Sequence, residues 1–142
     1  MKLELVTLDG VKFSEDAYSI ILPTMDGEIT VLPHHEPLLT ALKTGVITIR
    51  RKAGDADHYL EHYATYGGVA EITRDGVRVL VDEATHGDEI NEAEAQKARD
   101  EAQKLLASAK NQVELDHAQA LVDRQAVRLH VANIRRRHQR QR

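Results

Sequence analysis

The stretch EITVLPHHEPLLTALKTG, residues 28–45, places two histidines between two prolines in the middle of a region that otherwise alternates like β-strands. By residue type, His34, His35 and Glu36 are candidate metal ligands, but adjacent side chains point in different directions and do not converge easily on one ion. Pro33 and Pro37 fix their own φ angles and restrict the residue before each of them. The sequence therefore predicts a rigid surface corner between two strands.

Outward from this corner, residues 1–85 alternate between polar and apolar with a period near two. Short β-type segments divided by regular turn signals are typical of a sandwich or a barrel. We predict breaks at Thr44-Gly45 and at Gly67-Gly68. The predicted strands are KLELVT (2–7), YSIILPT (18–24), EITVLP (28–33), LLTAL (38–42), VITIR (46–50), YLEHYATY (59–66), VAEIT (69–73) and VRVLVD (77–82).

The pattern then changes to an alanine-rich helical one. Asn91 is a predicted N-cap, with Glu94 at capping-box spacing. A second helix is predicted from about Asp116, after a break in SAKNQVELD, residues 108–116. The predicted fold class is β + α: a β-sandwich domain over residues 1–86, followed by an antiparallel two-helix hairpin with a basic tail over residues 87–142.

Alanine contacts determine how firmly this hairpin is held. An alanine buries little apolar surface, so its contribution at about 25 cal/mol per Å² is well below that of a leucine. A hairpin built mainly on such contacts opens at modest cost, whereas an ordinary small helical pair stays closed. The residue pattern is compatible with both behaviours.

Composition and charge exclude several classes of protein. The 142 residues contain no cysteine, so no disulfide, thiolate metal site or cysteine nucleophile can form. No apolar run approaches the roughly 20 residues of a membrane-spanning helix, and the first residues have no secretory signal. The net charge of −4 argues against general nucleic-acid binding, but the acids concentrate in residues 82–101 and the chain ends RRRHQRQR. We expect this basic end to meet an acidic surface, with Arg140 and Arg142 solvated.

The sequence contains no catalytic motif in the structural context that the motif requires. HYLEH, residues 58–62, matches the inverted zinc-protease pattern, which requires a helix. In a strand, His58 and His62 would stand about 13 Å apart. Neither a nucleotide-binding glycine loop nor a G-x-S-x-G serine is present. The sequence indicates an interaction protein without metal or cofactor. Two alternatives stay open: a free-standing adaptor whose basic helix binds nucleic acid, and a metal-dependent hydrolase that uses the histidines.

Three motifs together carry a family resemblance. The first is Asp26-Gly27 followed by LPHHEPLL, residues 32–39, with Leu42 and Gly45 after it; the second is GGVAE, residues 67–71; the third is VLVDEAT, residues 79–85. With the acidic, alanine-rich hairpin after them, they resemble the ε subunit family of the F-type ATP synthase over nearly the whole chain. His34 departs from the family, which usually has glycine there, and this puts the exact shape of the turn in question.

The resemblance implies a non-catalytic subunit of the rotating central stalk, which couples the catalytic head to the c-ring during ion-driven ATP synthesis. The sandwich would dock on the γ subunit and the c-ring, and we assign this contact to the corner residues Pro33, His34, His35, Glu36, Pro37 and Leu38. The protein would then be a peripheral membrane protein, held at the membrane only through the complex. Its expected place is the cytoplasmic side of a bacterial inner membrane, with the plastid thylakoid as the alternative.

The resemblance also implies a regulatory role for the hairpin. In this family the helices switch between a folded hairpin and an extended form that reaches the α and β subunits and blocks ATP hydrolysis. The residues expected to make that inhibitory contact are Arg124, Arg128, Arg135, Arg136 and Arg137.

Some members of the family bind ATP in the folded hairpin through Ile or Leu followed by Asp-x-x-Arg-Ala. The matching positions here are Ile90, Asn91, Glu94 and Ala95, so that an amide replaces the aspartate and a carboxylate replaces the arginine. A carboxylate repels phosphate, and ATP binding through this motif is therefore not expected. Arg99, with Arg124 and Arg128, could still supply positive charge.

Overall fold

The computed structural model of the chain describes residues 1–141; the predicted solvation of Arg142 lies outside this range. Eight strands precede two helices, which confirms the predicted fold class. The strands are β1 (Lys2–Thr7), β2 (Gly10–Asp16), β3 (Ser19–Thr24), β4 (Gly27–Val31), β5 (Leu38–Arg50), β6 (Glu61–Ile72), β7 (Gly76–Val81) and β8 (Ala84–His86). The helices are α1 (Glu92–Ala107) and α2 (Gln112–Gln139).

Two long strands, β5 and β6, pair along most of their length and connect both layers of the sandwich. The second half of β6 pairs with β7, which continues to β1 and β2 and completes the first layer. The first half of β6 pairs with β8. On the other side, the second half of β5 pairs with β3, which continues to β4 and completes the second layer.

Both predicted breaks lie inside these long strands. Thr44-Gly45 does not end β5: a Cβ at Gly45 would lie 2.6 Å from Cβ of Pro23, so the glycine permits close approach of β3. Gly67 and Gly68 have φ angles of 112° and 152° within β6. Across them the core-facing residues change from odd positions, such as Tyr63, to even positions, such as Ala70. The glycines therefore turn β6 from one layer into the other.

Two strands were absent from the prediction. In β2 only Phe13 is buried, because β2 is an edge strand with an otherwise exposed surface. Strand β8 has only three residues. The alternation in β2 is limited to Val11-Lys12-Phe13-Ser14, the minimum length for identifying a strand from sequence, and β8 is shorter than that minimum.

The apolar core lies between the two layers and, within residues 1–141, contains no helical residue. Its large, fully buried side chains are aliphatic: Leu3, Leu5, Ile20, Leu22, Ile47, Ile49, Ile72, Val31 and Val79. The sandwich therefore has a core of its own, separate from the contact with the helices.

The helices form the predicted hairpin with a shorter break. Asn91 caps α1, accepting a hydrogen bond from the Glu94 N–H at 3.1 Å. The second helix begins at Gln112 instead of Asp116, because Asn111 accepts from the Glu114 N–H at 2.9 Å and acts as its N-cap. Helix α2 lies on the sandwich, and α1 packs against α2.

Candidate interaction surfaces

The proline corner is a tight turn closed by a backbone hydrogen bond. The His35 N–H donates to the Leu32 carbonyl at 3.2 Å, which places Pro33 and His34 at the two central positions. His34 has a φ of 68° and is the only non-glycine residue with positive φ among residues 1–141. Proline followed by a residue with positive φ is the pattern of a type II turn, whose second position favours glycine. His34, where the family usually has glycine, therefore occupies the turn position at which positive φ favours glycine.

The side chains of this corner are directed outward. Pro33, His34, Glu36, Pro37 and Leu38 are exposed, and His35 is half-buried with its Nδ1 atom 2.7 Å from the Glu36 carbonyl oxygen. A shallow hollow beside the corner also includes Arg74 from the turn before β7. The six residues expected to dock therefore form one accessible surface segment, and their role in docking stays a prediction.

A second exposed surface, which the sequence did not reveal, crosses the outer face of the first layer. Strand register places an apolar residue of each of five strands in one line: Val11, Val6, Leu80, Val69 and Ala41. We call this set the apolar row. Val69 and Leu80 lie directly opposite each other, with 42% and 47% of their surfaces exposed. A neighbouring line is charged and contains the Arg78–Glu4 ion pair at 3.1 Å.

The apolar row could have been suspected from residues at strand positions that alternate outward, since Val69 and Leu80 break the expected polar-out pattern. Its continuity could not, because it depends on pairing between strands that are distant in the chain. Contiguous exposed apolar surface on a small protein often marks a contact with another protein.

Helix α2 covers the outer face of the second layer through a small apolar cluster. Its fully buried members are Ala64, Ile90, Val131 and Ala132, with Val46, Tyr66 and Val127 at its edge. Among the described residues of α2, Val131 is the one buried side chain larger than alanine. Burying one valine contributes about 1.5–3 kcal/mol, so this apolar contact is weak for a helix of such length.

Two of the five predicted inhibitory arginines reach across to the sandwich. Arg124 pairs with the Glu83 carboxylate, and its guanidinium lies 4.0 Å from the centre of the Tyr66 ring. Arg128 Nη1 lies 3.8 Å from Glu83 Oε1 and 3.4 Å from both the Tyr66 hydroxyl and Thr85 Oγ1. Glu83 thus accepts two cations of α2.

The other three arginines differ from one another. Arg135 donates to the Gly87 carbonyl at 2.6 Å, and its Nε atom is buried without a hydrogen bond among the described residues. Arg136 pairs with Glu92 of α1 at 3.2 Å. Arg137 is exposed, and Arg140 is exposed as expected. In this folded hairpin, four of the five arginines thus hold α2 to its neighbours, so release costs more than the alanine contacts alone imply. The contact predicted with the catalytic subunits stays a prediction.

The residues of the ATP motif have structural partners in this conformation. Ile90 and Ala95 are buried, Asn91 caps α1, and Glu94 is exposed. Arg99 is half-buried, and its Nε atom has no hydrogen bond within residues 1–141. The expected lack of ATP binding through this motif stays a prediction.

The histidines are spread over several elements. His58 lies in a short 3-10 turn, Asp57–Tyr59, and His62 lies in β6, which begins at Glu61, two residues after the predicted start of that strand. Across residues 1–141, no three His, Asp or Glu side chains converge in a way that could hold a metal ion. No helix in that range is long and apolar enough to cross a membrane.

Comparison with known proteins extends over the full chain. The family profile described as "ATP synthase, Delta/Epsilon chain, beta-sandwich domain" matches residues 1–87. The ATP synthase epsilon chain of Herpetosiphon aurantiacus is 34% identical over 98% of both chains, and that of Syntrophobacter fumaroxidans is 38% identical over 93% of this chain and 95% of its own. The fold is similar to that of a chain in the Euglena gracilis mitochondrial ATP synthase, with a TM-score of 0.78, 23% identity and coverage of 92% of this chain and 79% of the other. The chain therefore belongs to the family of ATP synthase epsilon chains.

Proposed function

We propose that this chain is a non-catalytic rotor subunit that couples the catalytic head of an F-type ATP synthase to its c-ring and restrains ATP hydrolysis through its C-terminal helices. The observation that carries the proposal is the division of the sandwich into two faces. One face is covered by α2, and the other leaves the apolar row exposed; its last member, Ala41, lies on β5, the strand that follows the proline corner.

The exposed face is the proposed docking surface for the γ subunit and the c-ring. The apolar row supplies area to bury, and the proline corner supplies a stiff edge that changes little on binding. Supporting this assignment, similar folds occur in the OSCP, F1 and c-ring assembly of the Euglena gracilis mitochondrial ATP synthase and in the central stalk and c-ring assembly of the Tetrahymena thermophila enzyme. Docking through this face leaves α2, on the opposite face, able to move.

The covered face is the proposed regulatory element. In the folded hairpin, Arg124 and Arg128 share Glu83, and Arg136 uses Glu92. Half-exposed ion pairs contribute about 0–1 kcal/mol each, and the apolar cluster adds a few kcal/mol. Carboxylates on the α and β subunits can compete with partners of this strength, so the arginines exchange one set of acids for another when the helices extend.

Arg137 has a distinct role in this scheme. It is exposed in the folded hairpin, so its loss leaves the folded state intact and weakens only the inhibitory contact.

Replacing Arg135, Arg136 and Arg137 together with glutamine is expected to relieve inhibition of ATP hydrolysis. An unchanged rate of hydrolysis would remove these residues from the mechanism.

Nucleotide binding is not part of the proposal. The carboxylate of Glu94 stands where other members of the family have an arginine, and Asn91 is occupied as a helix cap. Titration of the isolated protein with ATP tests this directly: we expect no saturable binding at millimolar ATP.

The proposed location follows from assembly. The protein would be peripheral to the membrane, on the cytoplasmic side of a bacterial inner membrane, because the chain itself supplies no spanning helix within residues 1–141 and the similar epsilon chains named above are bacterial.

The decisive experiment compares ATP hydrolysis by the assembled complex with the full chain and with a chain stopped after His86. The shortened chain keeps the entire core between the layers, since none of the helical residues that the structure describes contributes to it. We expect a severalfold higher rate without the helices and unchanged subunit content. Equal rates in intact complexes would refute inhibition by the hairpin, and loss of the shortened chain from the complex would refute docking through the sandwich alone.

A further inference from the structure

We propose that acid releases the C-terminal third of α2 from the sandwich, with His62 as the proton-binding group and His86, His130 and His138 as the residues that oppose its charge. We call these four residues the histidine cluster. They meet where the end of α2 crosses the beginning of β6.

The geometry places His62 at the contact itself. Its ring centre lies 5.5 Å from that of His138 on α2, and its Nδ1 atom lies 3.1 Å from Thr48 Oγ1 on β5. The Nε2 atom is buried and has no hydrogen-bond partner among the described residues. A cleft of about 370 Å³ opens beside it, bounded by the 3-10 turn, β6, the residues after β8 and α2.

The charges around His62 come from every element that packs there. The turn before β6 contributes Asp57 and His58, β6 contributes Glu61, β8 and the residues after it contribute His86 and Asp88, and α2 contributes His130, Arg135 and His138. The Glu61 carboxylate is engaged by Arg51 and by the Tyr63 hydroxyl at 3.3 Å. Asp88 lies 3.5 Å from His86 Nδ1. No carboxylate among the described residues therefore reaches Nε2 of His62.

A proton bound to Nε2 of His62 would have no hydrogen-bond acceptor. The positive charge that it creates would lie beside other groups that are cations or can become cations. Burial is the main cause that lowers the pKa of His62 from 6.5 to about 4, followed by repulsion from His138, His86 and His130, with Asp57 acting weakly the other way. Neutral His62 is thus compatible with docked α2, and protonated His62 is not.

The direction of the pH effect follows from linkage. The docked state lowers the pKa, so docking is at full strength above the ordinary value of 6.5 and is lost as pH falls toward about 4. One proton bound with these two affinities lowers the docking constant by roughly tenfold between about pH 7.5 and about pH 5.5.

His86 is a weaker candidate for the proton-binding role. In the neutral ring, Nδ1 of His86 accepts a hydrogen bond from the Asp88 N–H at 3.2 Å. When the ring is protonated, the Asp88 carboxylate is close enough to form an ion pair with it. Protonated His86 therefore keeps a local partner, whereas protonated His62 does not.

Acid-driven release would shift the helices toward the extended form, so inhibition of hydrolysis would increase as pH falls. This consequence rests on the proposed function. The release itself does not, and it can be measured on the isolated full chain, where failure of the inference is separate from failure of the proposed function.

The experiment measures the distance between two spin labels. The chain has no cysteine, so labels can be placed by Lys52→Cys on the sandwich and Arg140→Cys at the end of α2, both exposed positions. We expect one short-distance population at about pH 7.5 and a released population that grows about tenfold relative to it by about pH 5.5. A distance distribution that does not change over this range would overturn the inference.

Two variants identify the responsible histidine. His62→Gln keeps a neutral polar side chain and is expected to abolish the pH dependence of the distance. His117→Gln removes an exposed histidine of α2 outside the cluster and is expected to leave it unchanged. A His62→Gln chain that still releases α2 in acid would refute the assignment.

A second measurement does not depend on the variant folding correctly. The ring resonances of His62 in the unmodified chain, followed by NMR, are expected to report a pKa well below the ordinary histidine value of 6.5. A pKa of His62 at the ordinary value of 6.5 would contradict a buried, opposed ring and overturn the inference.

Discussion

The backbone of His34 carries a conformation that most side chains avoid. Its φ of 68° places Cβ close to its own carbonyl oxygen, at a cost of about 1–2 kcal/mol relative to glycine. Histidine is among the residues that tolerate this region better than most, which is consistent with its presence in the corner. The strain is confined to one residue of an exposed turn, so it can be removed without repacking the core.

His34→Gly is therefore expected to stabilise the protein by about 1 kcal/mol, after the greater freedom of glycine in the unfolded chain is subtracted. For a chain of this length the melting temperature should rise by about 3 °C. His34→Ala keeps a Cβ and serves as the matched control, with little change expected. Equal melting temperatures for the two variants would contradict left-handed strain at this position.

At Gly68, by contrast, the native glycine is the residue that the structure requires, and adding a side chain is expected to destabilise the protein. A Cβ there would overlap the Leu80 carbonyl oxygen, and Gly68 has a φ of 152°. We expect Gly68→Ala to destabilise the sandwich by about 2–4 kcal/mol in denaturant unfolding, because β7 must move away from β6. Gly54→Ala, in an exposed loop with open space around it, is the control and should stay within about 0.5 kcal/mol. A small effect at Gly68 would mean that the close contact between β6 and β7 is absent.

Among the elements, α2 depends on charge as much as on apolar burial. Glu83, which lies just before β8, pairs with two arginines of α2. The Arg124–Glu83 pair joins residues 41 positions apart in the chain. Glu83→Gln leaves both guanidinium groups facing a neutral side chain. Since the groups are only half-exposed, we expect a loss of about 1–2 kcal/mol in docking.

Hydrogen exchange of the α2 amides measures this loss. Exchange should accelerate by about tenfold in Glu83→Gln, while the amides of β5 and β6 keep their protection. Asp82→Asn removes a neighbouring charge that is exposed, and should leave α2 unaffected. The same exchange rates in both variants would show that Glu83 does not hold the helix.

Local sequence patterns predicted which strands and helices are present better than they predicted the residues at which these elements begin and end. The alternation of β1 and β7 and the alanine-rich α1 follow from residue spacing alone. The continuity of β5 through Gly45 did not, because a glycine selected for close approach to Pro23 looks the same in sequence as a glycine selected for a turn. The start of α2 was placed too late, since Asn111 is a capping residue that lies in a polar stretch resembling a loop.

For the molecule as a whole, the proposed docking face is the feature that local sequence could not supply. The proline corner is continuous in sequence and was recognisable from residues 32–39, whereas the apolar row is assembled from five strands by long-range pairing. The contacts of Arg124 and Arg128 with Glu83 were invisible for the same reason. The inhibitory contact expected of the arginines stays a prediction, and the structure shows that Glu83 and Glu92 are their acidic partners in the folded hairpin.

A charge placed in the apolar row is expected to weaken assembly. Val69→Lys puts an ammonium group at the centre of the proposed interface, where it must lose water without a partner. We expect recovery of the chain with the purified complex to fall by at least tenfold, with the isolated fold intact. Val113→Lys is the matched control, because Val113 is also an exposed valine, 79% accessible, but lies on the hairpin. Normal recovery of Val69→Lys would place the docking surface elsewhere.

The most direct test of the central claim, that the folded hairpin must open for the helices to inhibit, is a reversible covalent lock. A Cβ at Gly87 would lie 3.8 Å from Cβ of Arg135, which is the separation that a disulfide requires, and the chain has no other cysteine. ATP hydrolysis by the complex carrying Gly87→Cys with Arg135→Cys would be measured oxidised and then reduced, beside each single variant under the same treatment. The account predicts severalfold faster hydrolysis when the disulfide is closed, a return to the slower rate on reduction, and no redox response in the single variants. Equal rates in the two states, or slower hydrolysis with the hairpin locked, would contradict it.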